Sequence, residues 1–317
     1  ALAYLGGFHQ PGPHHLKVGV VGSSAQQQVL AQQLKDHLGD AVDMRTVPTE
    51  AQARGLLERR ELAGAFVPGQ QASSLLIASG ASDTTAMMVE RIFAPMALAQ
   101  AQPLHVVDVV PVDRHDPTGQ GMFFYLVALT VGAYSAAIAI AAAGAHLWIG
   151  LRAAFAVVTG LVVSALATAV AGPLYGALPS HSVAIGALGW LYATAIILVG
   201  VGLHTFLGRW TTGVMVALFV MLNFTSSGGV FAPALQPGFF AGLHSFWIGA
   251  GLLEAGRTLL YFPRLGIGGD VARLLLWLAG GAVLVAVAAL VERHRDLRAL
   301  PVAAAPTDLE IEETVAA

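Results

Sequence analysis

Glu254 and Arg257 lie where ionisable side chains are expensive. Both fall inside the apolar run from Phe239 to Leu260 and are three residues apart, so on a helix they share one face. An ionisable residue in an apolar segment is costly and often functional. The competing reading is a local ion pair that holds a re-entrant or interfacial helix near the membrane surface. Just upstream, the apolar segment from Thr211 to Phe224 runs into Ser226-Ser227-Gly228-Gly229-Val230-Phe231-Ala232-Pro233 and then Gln236-Pro237. Irregular backbone survives at membrane depth only when it is buried in protein or faces water. Asn223 has the amide needed to bond across helices. Asn223, Ser226, Gly228, Gly229, Pro233, Pro237, Glu254 and Arg257 are therefore the candidate lining of a translocation path or gate. For the Gly- and Pro-rich break, the alternative is the external loop of a plain helical hairpin.

Other chemistry finds little support in the residues. No GxxxxGK[ST] motif occurs, so ATP binding of the Walker type is not expected. Gly22-Ser23 follows a strand but lacks the glycine spacing of a phosphate loop, and Ser23-Ser24 reads better as a helix cap. His14, His15, His105 and His115 have no ligand spacing, so no metal site is assigned. The chain has no cysteine, which excludes disulfides, thiolate ligands and a cysteine nucleophile. Ser226-Ser227 has no evident base beside it, and an enzyme is not expected. No cofactor is implied. Asp113, Arg114, His115 and Asp116 mix both signs at the edge of an apolar stretch, where a solvated turn is the simpler reading and a gate the alternative.

The elements that would carry these residues are written in the composition. Of 317 residues, 56% are hydrophobic and 11% charged, and the net charge is -3. An average soluble chain is about a quarter charged. With so little charge and a negative balance, there is no electrostatic case for nucleic acid. From Ala153 to Gly208 there is no Asp, Glu, Lys or Arg. That stretch is long enough for two spans of roughly 20 residues each. Gly172-Pro173 and Pro179-Ser180-His181-Ser182 supply the turn between them, giving a hairpin of about Ala153–Ala171 and Val183–Leu203 with Arg152 and Arg209 closing its two ends. A span from Gly121 to about His146 precedes it, with Phe123, Phe124 and Tyr125 as interfacial anchors. Arg273 to Leu290 is the last span.

The stretch from residue 14 to 112 has another character. Apolar runs are short and most of the Lys, Asp and Glu residues lie there. Strands are expected at Leu16–Gly22, Ala41–Val47, Leu62–Val67, Ser74–Ala78 and Leu104–Val110. Helices are expected at Ala25–Leu38, Glu50–Arg60 and Thr84–Gln100, the last capped by Asp83. Alternating strands and helices give a compact α/β domain with a mixed sheet. Ala1–Phe8 reads either as the last turns of a first transmembrane helix, whose start precedes this sequence, or as a trimmed signal or loose tail. The fold expected is thus an α-helical polytopic membrane protein, five apolar segments plus a truncated first helix, with an inserted extracytoplasmic α/β domain. Its parts are 1–13 (helix end and linker), 14–112 (α/β domain), 113–293 (helical domain with a re-entrant segment near 226–262) and 294–317 (a disordered tail). Arg293, Arg295 and Arg298 place the tail in the cytoplasm by the positive-inside rule, which puts the α/β domain outside the cell membrane.

Several stretches carry a resemblance. They are HLKVGVVG (His15–Gly22), LERRELAGAFVPG (Leu57–Gly69), DPTGQGMFFYLVALTVGAY (Asp116–Tyr134) and SSGGVFAPALQP (Ser226–Pro237), followed by Arg257-Thr258-Leu259-Leu260-Tyr261-Phe262. In this order the chain resembles the membrane subunits of type 2 ABC exporters, and especially the phage infection protein-like branch with its external α/β domain. The resemblance implies a homodimeric permease in contact with membrane lipid, which moves an apolar or amphiphilic substrate and is powered by a separate ATPase subunit. The very short loops at Arg152 and Arg209 depart from that pattern. The alternative function is a non-transporting surface receptor or secretion-system component whose external domain binds a partner.

Overall fold

A computed structural model describes residues 2–99, 102–144 and 146–299. A short helix, α1 (Leu2–Phe8), leads into a five-stranded sheet made of β1 (Leu16–Val21), β2 (Val42–Val47), β3 (Gly64–Val67), β4 (Ser73–Ile77) and β5 (Leu104–Asp108). The strand order is β2-β1-β3-β4-β5. All pairs are parallel except β3 and β4, which run antiparallel. The sheet is mixed, as the sequence predicts. Alternation along β1 sends Val18 and Val20 to one face and Val21 to the other. The first face packs on α2 (Ala25–Leu38) and α4 (Asp83–Ala99) through Leu34, Val89 and Phe93. The second packs on α3 (Glu50–Glu58) through Ala53 and Leu57.

Helix α2 matches its expected bounds, because both ends are signalled locally. Ser24 and Gln27 form a capping box, and Gly39 closes the far end at φ 54°. The cap of α4 differs from expectation. The Ser82 hydroxyl accepts from the Thr85 amide at 3.3 Å, and Asp83 is the first helical residue. The end expected for this helix at Gln100 lies outside the described residues.

Among the described residues, four helices are long and apolar enough to cross a membrane: Gly121–Ala143, Ile149–Leu174, Ser182–Ser226 and Gly268–Arg298. This is the pattern of a multi-pass membrane protein. They comprise α5 (Gly121–Ala143), α6 (Ile149–Ala169) with a wide turn at Val170–Leu174, α7 (Ser182–Leu207), α8 (Thr211–Met215) and α9 (Asn223–Ser226) joined through Val216–Leu222, and α12 (Gly268–Ala299). The Ser182–Ser226 stretch is not straight. Gly208 adopts φ 50°, and a Cβ on Gly200 would lie 3.0 Å from Met215 Cε. A straight helix would hold those residues about 22 Å apart, so the chain folds back at Gly208. Between the long helices come α10 (Gly238–His244) and α11 (Ile248–Tyr261). At roughly 21 Å, α11 is shorter than a bilayer core.

Two sequence expectations are corrected here. Arg152 is not a loop charge: it lies within α6, is 3% exposed, and pairs with Glu292 of α12. The expected disordered tail from residue 294 is helical as far as Ala299. The remainder of that tail, with Asp308, Glu310, Glu312 and Glu313, lies outside the described residues. α7 is central to the bundle, and Tyr192, Ile196 and Val201 on it are fully buried.

Candidate functional site

The candidate site is built where the α/β domain meets the helical bundle. Helix α3 ends in a turn that donates the Arg60 amide to Leu57 O and the Glu61 amide to Leu56 O. This pattern usually places glycine in the left-handed position. Here Arg60 occupies it at φ 59°, at a cost of about 1–2 kcal/mol. The turn aims the Arg60 side chain away from its own domain. Its guanidinium pairs with the Glu254 carboxylate on α11 and stacks over the Phe262 ring, 5.4 Å from the centroid.

Glu254 accepts from two sides. Arg257, one turn further along α11, approaches its other oxygen at 3.5 Å. The Arg257 guanidinium also donates to the Gly228 carbonyl at 2.8 Å and the Gly229 carbonyl at 3.1 Å. The irregular backbone is therefore satisfied by a buried side chain, as burial in protein requires. Burial alone would push the Glu254 carboxyl up; the neighbouring Arg60 and Arg257 outweigh it and hold the carboxyl down at about 2. His244 closes the cluster, with Nε2 at 4.0 Å from Glu254 and Nδ1 at 3.0 Å from the Ser226 carbonyl. Burial pushes this imidazole below its ordinary value, against the pull of Glu254.

Backbone geometry fixes the loop as tightly as charge does. Gly228 has φ 79°, and a Cβ there would sit 2.8 Å from His244 Cε1; a Cβ on Gly229 would run into the Phe123 ring of α5. Thr84 at the start of α4 donates to the Val230 carbonyl at 2.9 Å, which ties the same loop to the α/β domain a second time. Deeper in the bundle, the Asn223 amide donates to the Tyr192 hydroxyl at 2.7 Å, and its oxygen accepts from the Gly249 amide at 2.9 Å. This joins the Ser182–Ser226 stretch to α11.

Of the residues singled out from sequence, Ser226, Gly228, Gly229, Glu254 and Arg257 are brought into one cluster, and Asn223 lies one layer below. Pro237 stands apart and precedes α10. Pro233 opens a short 3-10 turn and lines, together with Arg60, Ser82 and Thr85 of the α/β domain, a cavity of about 280 Å³. Sequence reasoning did not find Arg60 or His244. The one available signal for Arg60 was an arginine where a helix end normally carries glycine. Asp116 is a helix cap for α5, accepting from the Gln120 amide at 3.1 Å and the Gly121 amide at 2.7 Å. Burial raises its carboxyl above the usual range despite those two donors. Among the described residues, no group of His, Asp and Glu side chains is placed to hold a metal.

A second polar cluster lies at the opposite end of the bundle. Arg152 of α6 and Thr205 of α7 share the Glu292 carboxylate, with Thr205 donating at 2.7 Å. Arg295 donates to the Thr205 carbonyl at 3.3 Å. The start of α6 and the ends of α7 and α12 therefore share one side, as a hairpin closed by Arg152 and Arg209 requires. No family model, curated protein or solved structure matches the chain.

Proposed function

We propose that this chain is the membrane permease of an export system, with the α/β domain outside the cell membrane and the end bearing Arg152, Glu292 and Arg295 in the cytoplasm. The observation that carries the reading is the Arg60–Glu254–Arg257 cluster. It ties the α/β domain to the Gly228-Gly229 backbone inside the helical domain, so moving one bears on the other. Two packed bodies joined through a few buried charges are suited to discrete rearrangement rather than smooth deformation. A positive cluster opposite the α/β domain agrees with the positive-inside rule. Lacking a phosphate loop of its own, the chain draws its energy from a separate ATPase subunit and acts as a homodimer on an apolar or amphiphilic substrate.

The test is purification from the native membrane in mild detergent, paired with export of a fluorescent amphiphile from cells that carry or lack the gene. Co-purification of a nucleotide-binding subunit and gene-dependent export support the reading. Equal export in both cells removes it.

The alternative, a surface receptor or secretion component, draws on the two open sheet edges. β2 and β5 each pair on one side only, and Val106 on β5 is exposed. Such an edge accepts an added strand from a partner. Loss of partner binding on placing a proline in β5, with export equal in cells that carry or lack the gene, would favour this second reading.

A further inference from the structure

We infer that the groove between α7 and α12 is a binding site for one acidic acyl-chain lipid, its headgroup on Arg273 and its chain running along Trp277 and Gly280. The inference goes beyond the export reading and stands whether or not the chain transports. The groove measures about 520 Å³ and is lined by Val199 of α7, Phe246 of the α10–α11 link, and Gly269, Arg273, Trp277 and Gly280 of α12. That volume lies within the range of roughly 300–1,000 Å³ usual for small-molecule sites. Its wall is apolar except near one end. Arg273 sits there, in the second turn of α12, and Gly280 lies about 10 Å further along the helix. This matches the depth profile of a lipid, charged at the helix end and apolar below it.

Arg273 is the group that selects the charge. Its Nη1 atom is buried and has no hydrogen-bond partner. A buried donor left unmade costs about 1–3 kcal/mol, more when charged. Asp270 lies 3.4 Å away as an ion pair, without hydrogen-bond geometry. What remains unmet is the buried Nη1 donor on a cationic side chain that lines the groove, and a phosphodiester headgroup supplies acceptor oxygens of the opposite charge.

The groove also has room for a chain. A Cβ on Gly280 would meet nothing within 4 Å, whereas one on neighbouring Gly281 would lie 3.0 Å from Leu198 Cβ. Gly281 therefore packs α12 on α7, and Gly280 faces open space. Trp277 is fixed across the groove, its indole donating to the Phe246 carbonyl at 2.9 Å.

The test uses the full chain with Trp148, Trp190 and Trp210 replaced by Phe, which leaves Trp247 and Trp277 as the emitters. Purified in uncharged detergent, it is titrated with phosphatidylglycerol or phosphatidylcholine brominated on the acyl chains, and indole quenching is read. The acidic lipid should quench at a concentration about tenfold lower, equivalent to about 1.4 kcal/mol. Arg273→Gln should erase the difference and Arg273→Lys should keep part of it. Gly280→Leu should weaken quenching by both lipids while circular dichroism and elution volume stay unchanged. Equal quenching by the two lipids, or quenching indifferent to Gly280→Leu, overturns the assignment. So does complete displacement of the acidic lipid by inorganic phosphate, which would make the site one for a free anion.

Discussion

Replacing Glu254 by Gln tests how the two parts of the molecule are held together. The side chain of Glu254 is 12% exposed, that of Arg257 5%, and that of Arg60 25%. Removing the carboxylate charge leaves Arg257 buried with only the Gly228 and Gly229 carbonyls as partners. Breaking one side of a buried pair costs about 3–5 kcal/mol. Arg60→Ala should cost less, about 1 kcal/mol, because Glu254 keeps Arg257 and the left-handed backbone strain falls little. Arg60→Gly also relieves that strain, by roughly 1 kcal/mol, and should be the mildest of the three. The assay is thermal unfolding in mild detergent, followed by the elution of folded protein, together with protease cleavage in the 109–120 connection as a report on domain release. A double-mutant cycle of Arg60→Ala and Glu254→Gln should give a coupling energy above about 0.5 kcal/mol, the limit for independent sites. Equal small effects of Glu254→Gln and Arg60→Ala, with no coupling, would refute the idea that buried charge joins the domain to the loop.

Further outcomes follow from the same geometry. The Glu254 carboxyl, held at about 2 in the folded chain against an ordinary 4.5, stabilises fully above 4.5. That contribution is lost only as pH falls from 4.5 towards 2, whereas buried His244, held below its ordinary 6.5, favours the neutral form. Domain release measured by proteolysis should therefore be flat from pH 8 to 7 in the unmutated chain and rise as pH falls below 6.5, and His244→Gln should remove the rise seen above pH 4.5. Gly229→Ala should unfold the protein or displace α5, since its Cβ would enter the Phe123 ring; Gly242→Ala, where a Cβ meets nothing within 4 Å, should leave the melting temperature within error. Asp116→Ala should cost about 1 kcal/mol by removing the cap on α5, and Asp116→Asn should recover only part of it, because the two carboxylate oxygens accept from two different amides and an NH2 group would face one of those donors. Glu292→Gln strands buried Arg152 and should destabilise by more than Asp296→Asn at an exposed position of the same helix, read again as a shift in melting temperature.

Local patterns made much of this protein legible. The α2 cap and the run without charge from residue 153 to 208 each declare themselves within a few turns of chain. The five strands were found to within a few residues, because short apolar runs bounded by Gly, Pro and Ser have few other uses in a domain of this size. Asp83 suits a cap by residue type, but Ser82, one residue earlier, offers an equally good oxygen and takes the position. Arg152 looks like the end of a loop in sequence, since a lone charge beside an apolar run gives no hint of a carboxylate 140 positions away.

The sequence by itself determined which stretches shun water, where α2 and α3 begin, and that Glu254 and Arg257 share a helix face. These depend on residue type and on a fixed period of 3.6 or 2. Only the tertiary structure decided that Arg60 completes the charge pair, that the Gly228 and Gly229 carbonyls terminate on Arg257, and that Arg273 opens onto a groove. Each of those contacts joins residues far apart along the chain, and their cost or benefit exists only once burial has removed the water that would otherwise satisfy every one of them.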